Sequence, residues 1–141
     1  MKNDRVIEQI FISHPQGKMN GIPTITTSML CNPICEQRAK DETSVCAHCY
    51  AKRGLAIYPA ARNRYAENTK ILSSHDLEVY ELPVLNSSIA RFESHGDLVN
   101  VTHAKNYIRI ARRTRGVRLL SGRRTQPSWI RLSKSLANRT I

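Results

Sequence analysis

All four cysteines of the chain, Cys31, Cys35, Cys46 and Cys49, fall inside one short stretch, "CNPICEQRAKDETSVCAHCY", and the rest of the 141 residues holds none. The spacing is C-x3-C-x10-C-x2-C. Close pairs of this kind let a tight turn aim two sulfurs at one centre, and two pairs supply four thiolates for tetrahedral zinc or for an iron–sulfur cluster. The ten residues between the pairs, EQRAKDETSV, are polar and show no hydrophobic period, which predicts a loop joining two knuckles. Pro33 within the first pair and Gly54 after the second supply turn chemistry at either margin. Cys31, Cys35, Cys46 and Cys49 are therefore the candidate metal ligands.

Other uses of four thiols are weighed against that reading. The opening Met1-Lys2-Asn3-Asp4-Arg5 is not a secretory signal, and no apolar run approaches membrane-spanning length. The expected location is cytoplasmic, with no membrane association. In such a reducing compartment clustered cysteines serve metals or redox chemistry more often than structural bridges. Four small buried hydrophobes are the plain alternative, and confinement to one polar stretch argues against it. Nucleophilic catalysis calls for one activated thiol beside a base rather than a cluster. His48, wedged inside the second pair, is expected to be exposed or to donate a hydrogen bond behind the ligands. Four thiolates satisfy iron or zinc alike, so the cofactor expected is an iron–sulfur cluster or, alternatively, zinc.

The length suits one domain over residues 1–141, with the cysteine cluster and a following helix over 18–75 and a basic half over 89–141. "GIPTITTSML" is a short strand or an extended lead-in. Pro59 opens a helix over "PAARNRYAENTKILSS" with Ala61, Tyr65 and Leu72 on its buried stripe, and "HDLEVYEL" suggests a shorter helix stopped by Pro83. From residue 89 the pattern sharpens. "IARFE" alternates as a strand does, "SHGDLVN" breaks it, and "VTHAKNYIRIARRTRG" sets Ala104, Tyr107, Ile108 and Ala111 on one helix face with Gly116 at its end. "VRLL" is a second strand, and "SGRRTQPSWIRLSKSLANRT" admits another helix burying Trp129, Leu132 and Leu136. Strand, helix, strand, helix at this spacing predicts an α/β fold: a cysteine-rich metal-binding loop followed by parallel βα units, as a partial barrel or small open sheet.

That topology gives position a meaning, because ligands of parallel α/β folds gather beyond the carboxyl ends of the strands. Ser94, His95, Gly96 and Asp97 occupy that place after "IARFE". His95 can carry a proton or bind a metal, Asp97 can orient it or bind a cation, and Gly96 lets backbone approach a ligand. His95 and Asp97 are thus the catalytic candidates. The plain alternative is a turn with its Asp near a helix N-terminus.

Charge supplies a second signal. Residues 1–97 carry eleven Lys and Arg against eleven Asp and Glu, whereas residues 98–141 carry eleven Lys and Arg and no acid, so the whole net charge of +11 lies in the last third. Such asymmetry is the footprint of a polyanion partner, nucleic acid or an acidic protein. Arg109, Arg112, Arg113, Arg115, Arg118, Arg123 and Arg124 are the candidate contacts. They can equally form a solvated face, or pair with acidic residues of another chain.

The segments "SMLCNPIC", "VCAHCYAKRGLAIYPAARNRYAENTKIL" and "ARFESHGDLVNVTHAKNYIRIARRT" together resemble the gene product 88 family of bacteriophages and prophage-like regions. The matching positions are Cys31, Cys35, Cys46 and Cys49 with Tyr50-Ala51, then Arg62-Asn63, Arg91-Phe92 and His95-Gly96-Asp97, over roughly residues 18–125. The resemblance implies a phage-type protein acting in the host cytosol, with Tyr50, Asn63 and Gly96 as cofactor contacts. It is also similar to a shortened iron–sulfur barrel of the radical-enzyme kind, in which three cysteines hold a [4Fe–4S] cluster and an open iron binds S-adenosylmethionine, although the uninterrupted C-x3-C-x2-C of those loops is missing. Where the family would show Thr-Lys after the second strand, this chain reads "SGRRT", which bears on any catalytic role of that loop. A half barrel exposes sheet edges, so a homo-oligomer or a partner is expected to cover them. Two function classes follow. One is an iron–sulfur protein with a catalytic or redox site beside the Ser-His-Gly-Asp turn, and the other is a zinc-stabilised module whose arginines grip nucleic acid or an acidic host protein.

Overall fold

The computed structural model describes residues 8–114 and 118–121. Three short strands, β1 (Thr24–Ile25), β2 (Ile89–Phe92) and β3 (Arg118–Ser121), lie in the order β1-β2-β3 with both pairings parallel. Among the described residues four α-helices accompany them: α1 (Pro33–Ala39), α2 (Tyr50–Ile57), α3 (Pro59–Ser74) and α4 (Val101–Arg113). The described chain is thus mixed α/β, and β2, α4 and β3 form the parallel unit that the alternation after residue 89 predicts. None of the described helices is long and apolar enough to cross a membrane.

Local chemistry explains most of the elements. In β2, Ala90 and Phe92 are buried while Ile89 and Arg91 are half-buried, the period of two expected of a strand with one face on the core. Pro59 begins α3, and Asn100 caps α4 by accepting from the His103 N–H at 2.9 Å. The main core gathers Ile25, Ile71, Leu72, Ala90, Phe92, Tyr107 and Ile110 from β1, α3, β2 and α4. Leu72 and Ile110 are fully enclosed, and burial of a side chain of this size contributes about 1.5–3 kcal/mol, which seats α3 and α4 on the sheet. A smaller core of Met29, Ala51 and Leu55 packs with Cys35, Cys49, Ala61 and Tyr65 beside it.

Three expectations are corrected. The expected loop over residues 36–45 is helical in its first part, since α1 runs to Ala39, and only the remainder is turn. Buried Asn32 accepts from the Ile34 N–H at 2.9 Å and Pro33 follows as the first helical residue, so α1 forms and carries Cys35. "HDLEVYEL" contributes only a single 3-10 turn, Val79–Glu81, closed by the Glu78 N–H donating to the Glu81 carboxylate at 2.7 Å. The buried stripes also contain polar residues. On α4 the enclosed side chains are His103, Ala104, Asn106, Tyr107 and Ile110, with Ile108 and Ala111 half-buried. On α3 they are Asn68, Thr69, Ile71 and Leu72. Asn68 donates to the carbonyls of Phe11 and Thr26 and accepts from the Phe11 N–H, while Asn106 accepts from the Leu77 N–H and donates to the carbonyls of Leu72 and His75. Each asparagine satisfies loop backbone that would otherwise be buried unpaired. Gly116 and the expected last helix, with Trp129, Leu132 and Leu136, lie outside the described residues.

Candidate functional site

The register places Ile25 opposite Phe92, so β1 and β2 end at the same level. Beyond those ends opens a pocket of about 410 Å³. One wall carries Cys35 from α1, Cys46 from the 3-10 turn Val45–His48, and Cys49 just before α2. A second wall is the turn His95-Gly96-Asp97, and Arg38, Lys40 and Lys52 add positive charge to the lining. The sequence brings these walls together through named contacts. Asn32 Nδ2 donates to the Asp97 carbonyl at 2.9 Å, and the Arg38 guanidinium meets the Asp97 carboxylate at 2.9 Å. The Ser44 hydroxyl donates to the Arg38 carbonyl at 2.6 Å and accepts from the Ala47 N–H, which seats the turn holding Cys46 against the end of α1.

The thiols differ in setting. All four are free, and Cys31 is exposed while Cys35, Cys46 and Cys49 are half-buried. Burial, then the charges of Asp97 and Cys46, push the Cys35 thiol up to about 11, against the opposing pull of Arg38. Cys35 thus senses Cys46 and Cys49 as near neighbours, whereas Cys31 is absent from the pocket lining. Among the described residues no group of three or more His, Cys, Asp or Glu side chains is placed so that it could hold a metal ion. His95 stands edge-on to Tyr50, ring centroids 6.0 Å apart, and its Nδ1 is buried with no hydrogen-bond partner. Burial, then the Arg91 charge, hold its imidazole below the ordinary value despite an opposing pull from Glu93.

Behind Gly96 lies a buried polar junction. Glu93, 8% exposed, sits at φ 57°, a left-handed backbone that a glutamate adopts only when its surroundings over-determine it. Its carboxyl group accepts from the Thr27 N–H at 3.2 Å, from the Thr27 hydroxyl at 2.8 Å and from the Tyr107 hydroxyl. His103 Nε2 lies 3.3 Å from the same carboxyl, near enough for attraction yet not aligned as a hydrogen bond. The Val99 N–H donates to His103 Nδ1, so that network assigns the proton of the neutral ring to Nε2. Burial, and then Glu93, push the Tyr107 phenol well above its ordinary range. Tyr107 also stacks on Phe92 at 4.2 Å. A Cβ on Gly96 would come within 2.7 Å of Glu93 Oε2 and 3.1 Å of the Thr27 carbonyl, so only glycine lets the turn lie this close.

Of the residues marked from sequence, Cys35, Cys46, Cys49, His95, Gly96 and Asp97 line one pocket, whereas Tyr50 is exposed and outside the lining, with its ring edge-on to His95. Cys31 and His48 are exposed and do not line it, and Asn63 is exposed on α3 away from it. Arg109 pairs with Asp76 at 3.4 Å, Arg112, Arg113 and Arg118 are exposed, and Arg115, Arg123 and Arg124 lie outside the described residues. The sequence reading missed Arg38, Asn32 and the Glu93 junction. One signal was available for the last: His103 and Tyr107 stand four apart on α4, hence on one face, and Glu93 ends a strand immediately before the marked turn.

A mixed α/β domain with a thiol-lined pocket at the ends of its parallel strands is the class these features define. The sequence model described as Gene product 88 matches residues 7–120, and the chain belongs to that family. No curated protein and no solved structure matches it.

Proposed function

We propose that the protein binds a metal centre in this pocket, an iron–sulfur cluster ahead of zinc, through Cys35, Cys46 and Cys49. The observation that carries the reading is that these three thiols, from α1, from the 3-10 turn Val45–His48 and from the residue before α2, line one pocket together with His95 and Asp97. The donor set suits the group. Soft thiolates select zinc or iron–sulfur clusters, and a metal drawing three half-buried thiols together would displace their protons. A closed structural zinc site needs four protein ligands, whereas three thiols beside an open cavity suit a cluster with one iron facing the cavity. Such a cluster would supply electron transfer or activation of a bound ligand. The chain's own residues would position what enters: Gly96 lets the turn close onto Glu93 and Thr27, Asp97 is fixed by Arg38, and His95 lines the pocket beside them. Family membership supports a phage-type role in the host cytosol.

Anaerobic purification followed by iron, sulfide and zinc analysis tests this. Iron and sulfide with broad visible absorption are expected, and both should disappear in Cys46→Ser. One zinc per chain without colour would favour a second reading, for which the exposed Arg113 and Arg118 speak: a zinc-stabilised module contacting nucleic acid or an acidic protein, with affinity falling steeply in salt. Protein that holds neither metal after reconstitution would remove both readings.

A further inference from the structure

We propose that the outer face of α2 and the start of α3 form a binding surface for single-stranded nucleic acid, in which Tyr50 and Tyr58 stack on bases and Lys52, Arg53 and Arg62 meet the phosphates. This surface is separate from the arginines of α4 and β3, and it does not depend on what the pocket holds. The chain itself sets it up. Residues 43–66 carry Lys52, Arg53, Arg62 and Arg64 and no Asp or Glu, although acids stand at both margins, Glu42 and Glu67. In α2 the buried residues are Ala51 and Leu55, which turns the other face outward. Tyr50, Arg53 and Ile57 follow one another along that face at spacings of three and four residues, and all three are exposed. Tyr58 joins α2 to α3, and Arg62 stands one turn further on, its N–H donating to the Tyr58 carbonyl at 3.1 Å; both side chains are exposed.

Rings and cations coincide here and not elsewhere on the described surface. Tyr50 is 64% exposed and Tyr58 65%. Among the described residues Lys52, Arg53 and Arg62 form no ion pair, whereas on α4 Arg109 is held by Asp76 and Tyr107 is buried. A further exposed tyrosine, Tyr80, lies between Glu78 and Glu81, where a phosphate would be repelled. Unpaired bases offer flat faces to aromatic side chains while their phosphates track neighbouring cations, which is the pairing of needs that this face meets. An acidic protein would satisfy the cations and leave the rings without a stacking partner. Lys52 also lines the pocket and Tyr50 stands edge-on to His95, so the face reaches the edge of the pocket.

The test uses the full chain as purified and the fluorescence anisotropy of a labelled oligothymidylate of about twelve nucleotides, the order of length that one small domain covers. Tyr50→Ala and Tyr58→Ala are each expected to weaken binding by about five- to 150-fold, the loss of one stacked base. Arg53→Gln should lower the slope of affinity against salt by about one. Both rings are exposed, so these changes should leave the circular dichroism unaltered. Wild-type protein gives an answer that needs no variant. An abasic strand of the same length keeps the phosphates and lacks the bases, and both it and a polyglutamate of equal charge should bind more weakly than the oligothymidylate by at least the loss seen in either tyrosine variant. Equal affinity for the abasic strand or for polyglutamate would mean that charge alone binds, and would overturn the inference. So would tyrosine variants that bind like the wild type while Arg113→Gln with Arg118→Gln abolishes binding, or no binding of the oligothymidylate at all. Each of these failures leaves the metal reading where iron, sulfide and zinc analysis puts it.

Discussion

The two walls of the pocket are built on opposite physical plans. The sheet side rests on Glu93, whose buried carboxyl group is met by Thr27, Tyr107 and His103 and closes the space behind Gly96. The thiol side carries Cys35, Cys46 and Cys49 half-buried on short elements, tied across by Asn32 and by an Arg38–Asp97 pair that is itself partly exposed, side chains 32% and 19% accessible. One wall is held by the chain's own hydrogen bonds to Glu93, with His95 Nδ1 and His103 Nε2 left unpaired within it. The other has donors still to be used, and this difference separates what the polypeptide stabilises by itself from what a ligand would stabilise.

The comparison can be broken most severely at Glu93. Glu93→Ala leaves three donors, the Thr27 N–H, the Thr27 hydroxyl and the Tyr107 hydroxyl, facing an empty space, and each buried donor left unpaired costs about 1–3 kcal/mol, so a loss of at least ~3 kcal/mol is expected in urea unfolding of metal-free protein. Against a typical total of roughly 5–15 kcal/mol this approaches global unfolding. In the same metal-free protein the triple change of Cys35, Cys46 and Cys49 to Ser should move the urea midpoint less than Glu93→Ala does. A larger shift would mean that the thiol wall is also a finished core.

Gly96→Ala comes next, at about 1–3 kcal/mol, because the new methyl meets a carboxyl group that its own hydrogen bonds hold in place. Combined with Glu93→Ala the two costs should fall short of additivity, since removing the carboxyl group opens the space, and a double-mutant cycle reads that coupling. Tyr107→Phe, which keeps the stack on Phe92 and deletes one donor, is expected to cost about 0.5–1.5 kcal/mol by thermal or urea unfolding. Asp97→Asn should cost less than ~1 kcal/mol, as a part-exposed pair in water contributes little, and the fold should stay intact by circular dichroism.

The smallest effect belongs far from the pocket. The Glu78 N–H, and to a lesser degree His75, hold the Glu81 carboxyl below its ordinary range. A depressed carboxyl stabilises the fold above its unfolded value, and the contribution fades as the pH falls through the folded one. Glu81→Gln should therefore cost under ~0.5 kcal/mol at neutral pH, with the difference from the wild type fading as the pH falls through the folded value, as denaturation at several pH values would show.

The two walls also differ in how far the sequence announced them. The thiol wall was legible because cysteines are rare and their spacing is chemical, and the Ser-His-Gly-Asp turn was legible because a strand pattern stops there. Helix α3 matched its residue range for the same reason, a proline start and an unbroken run of helix formers. The junction behind Gly96 was not legible. Glu93 looked like the outward end of an alternating strand, and its inward carboxyl depends on a left-handed backbone that local pattern cannot encode. Asn32, Asn68 and Asn106 were overlooked likewise, since a buried asparagine is known only by the distant backbone it satisfies. Cys31, paired with Cys35 by spacing, is exposed and outside the pocket lining, with the helix start at Asn32 and Pro33 between the two.

Site-resolved alkylation tests the central claim most directly. Metal-loaded full-length protein is treated with a thiol reagent, with and without a chelator, and each cysteine is quantified by mass spectrometry. The account predicts rapid labelling of Cys31 in both conditions and protection of Cys35, Cys46 and Cys49 together until the chelator removes the metal. Equal labelling of all four whether or not metal is present, or protection of Cys31 along with the other three, would contradict it.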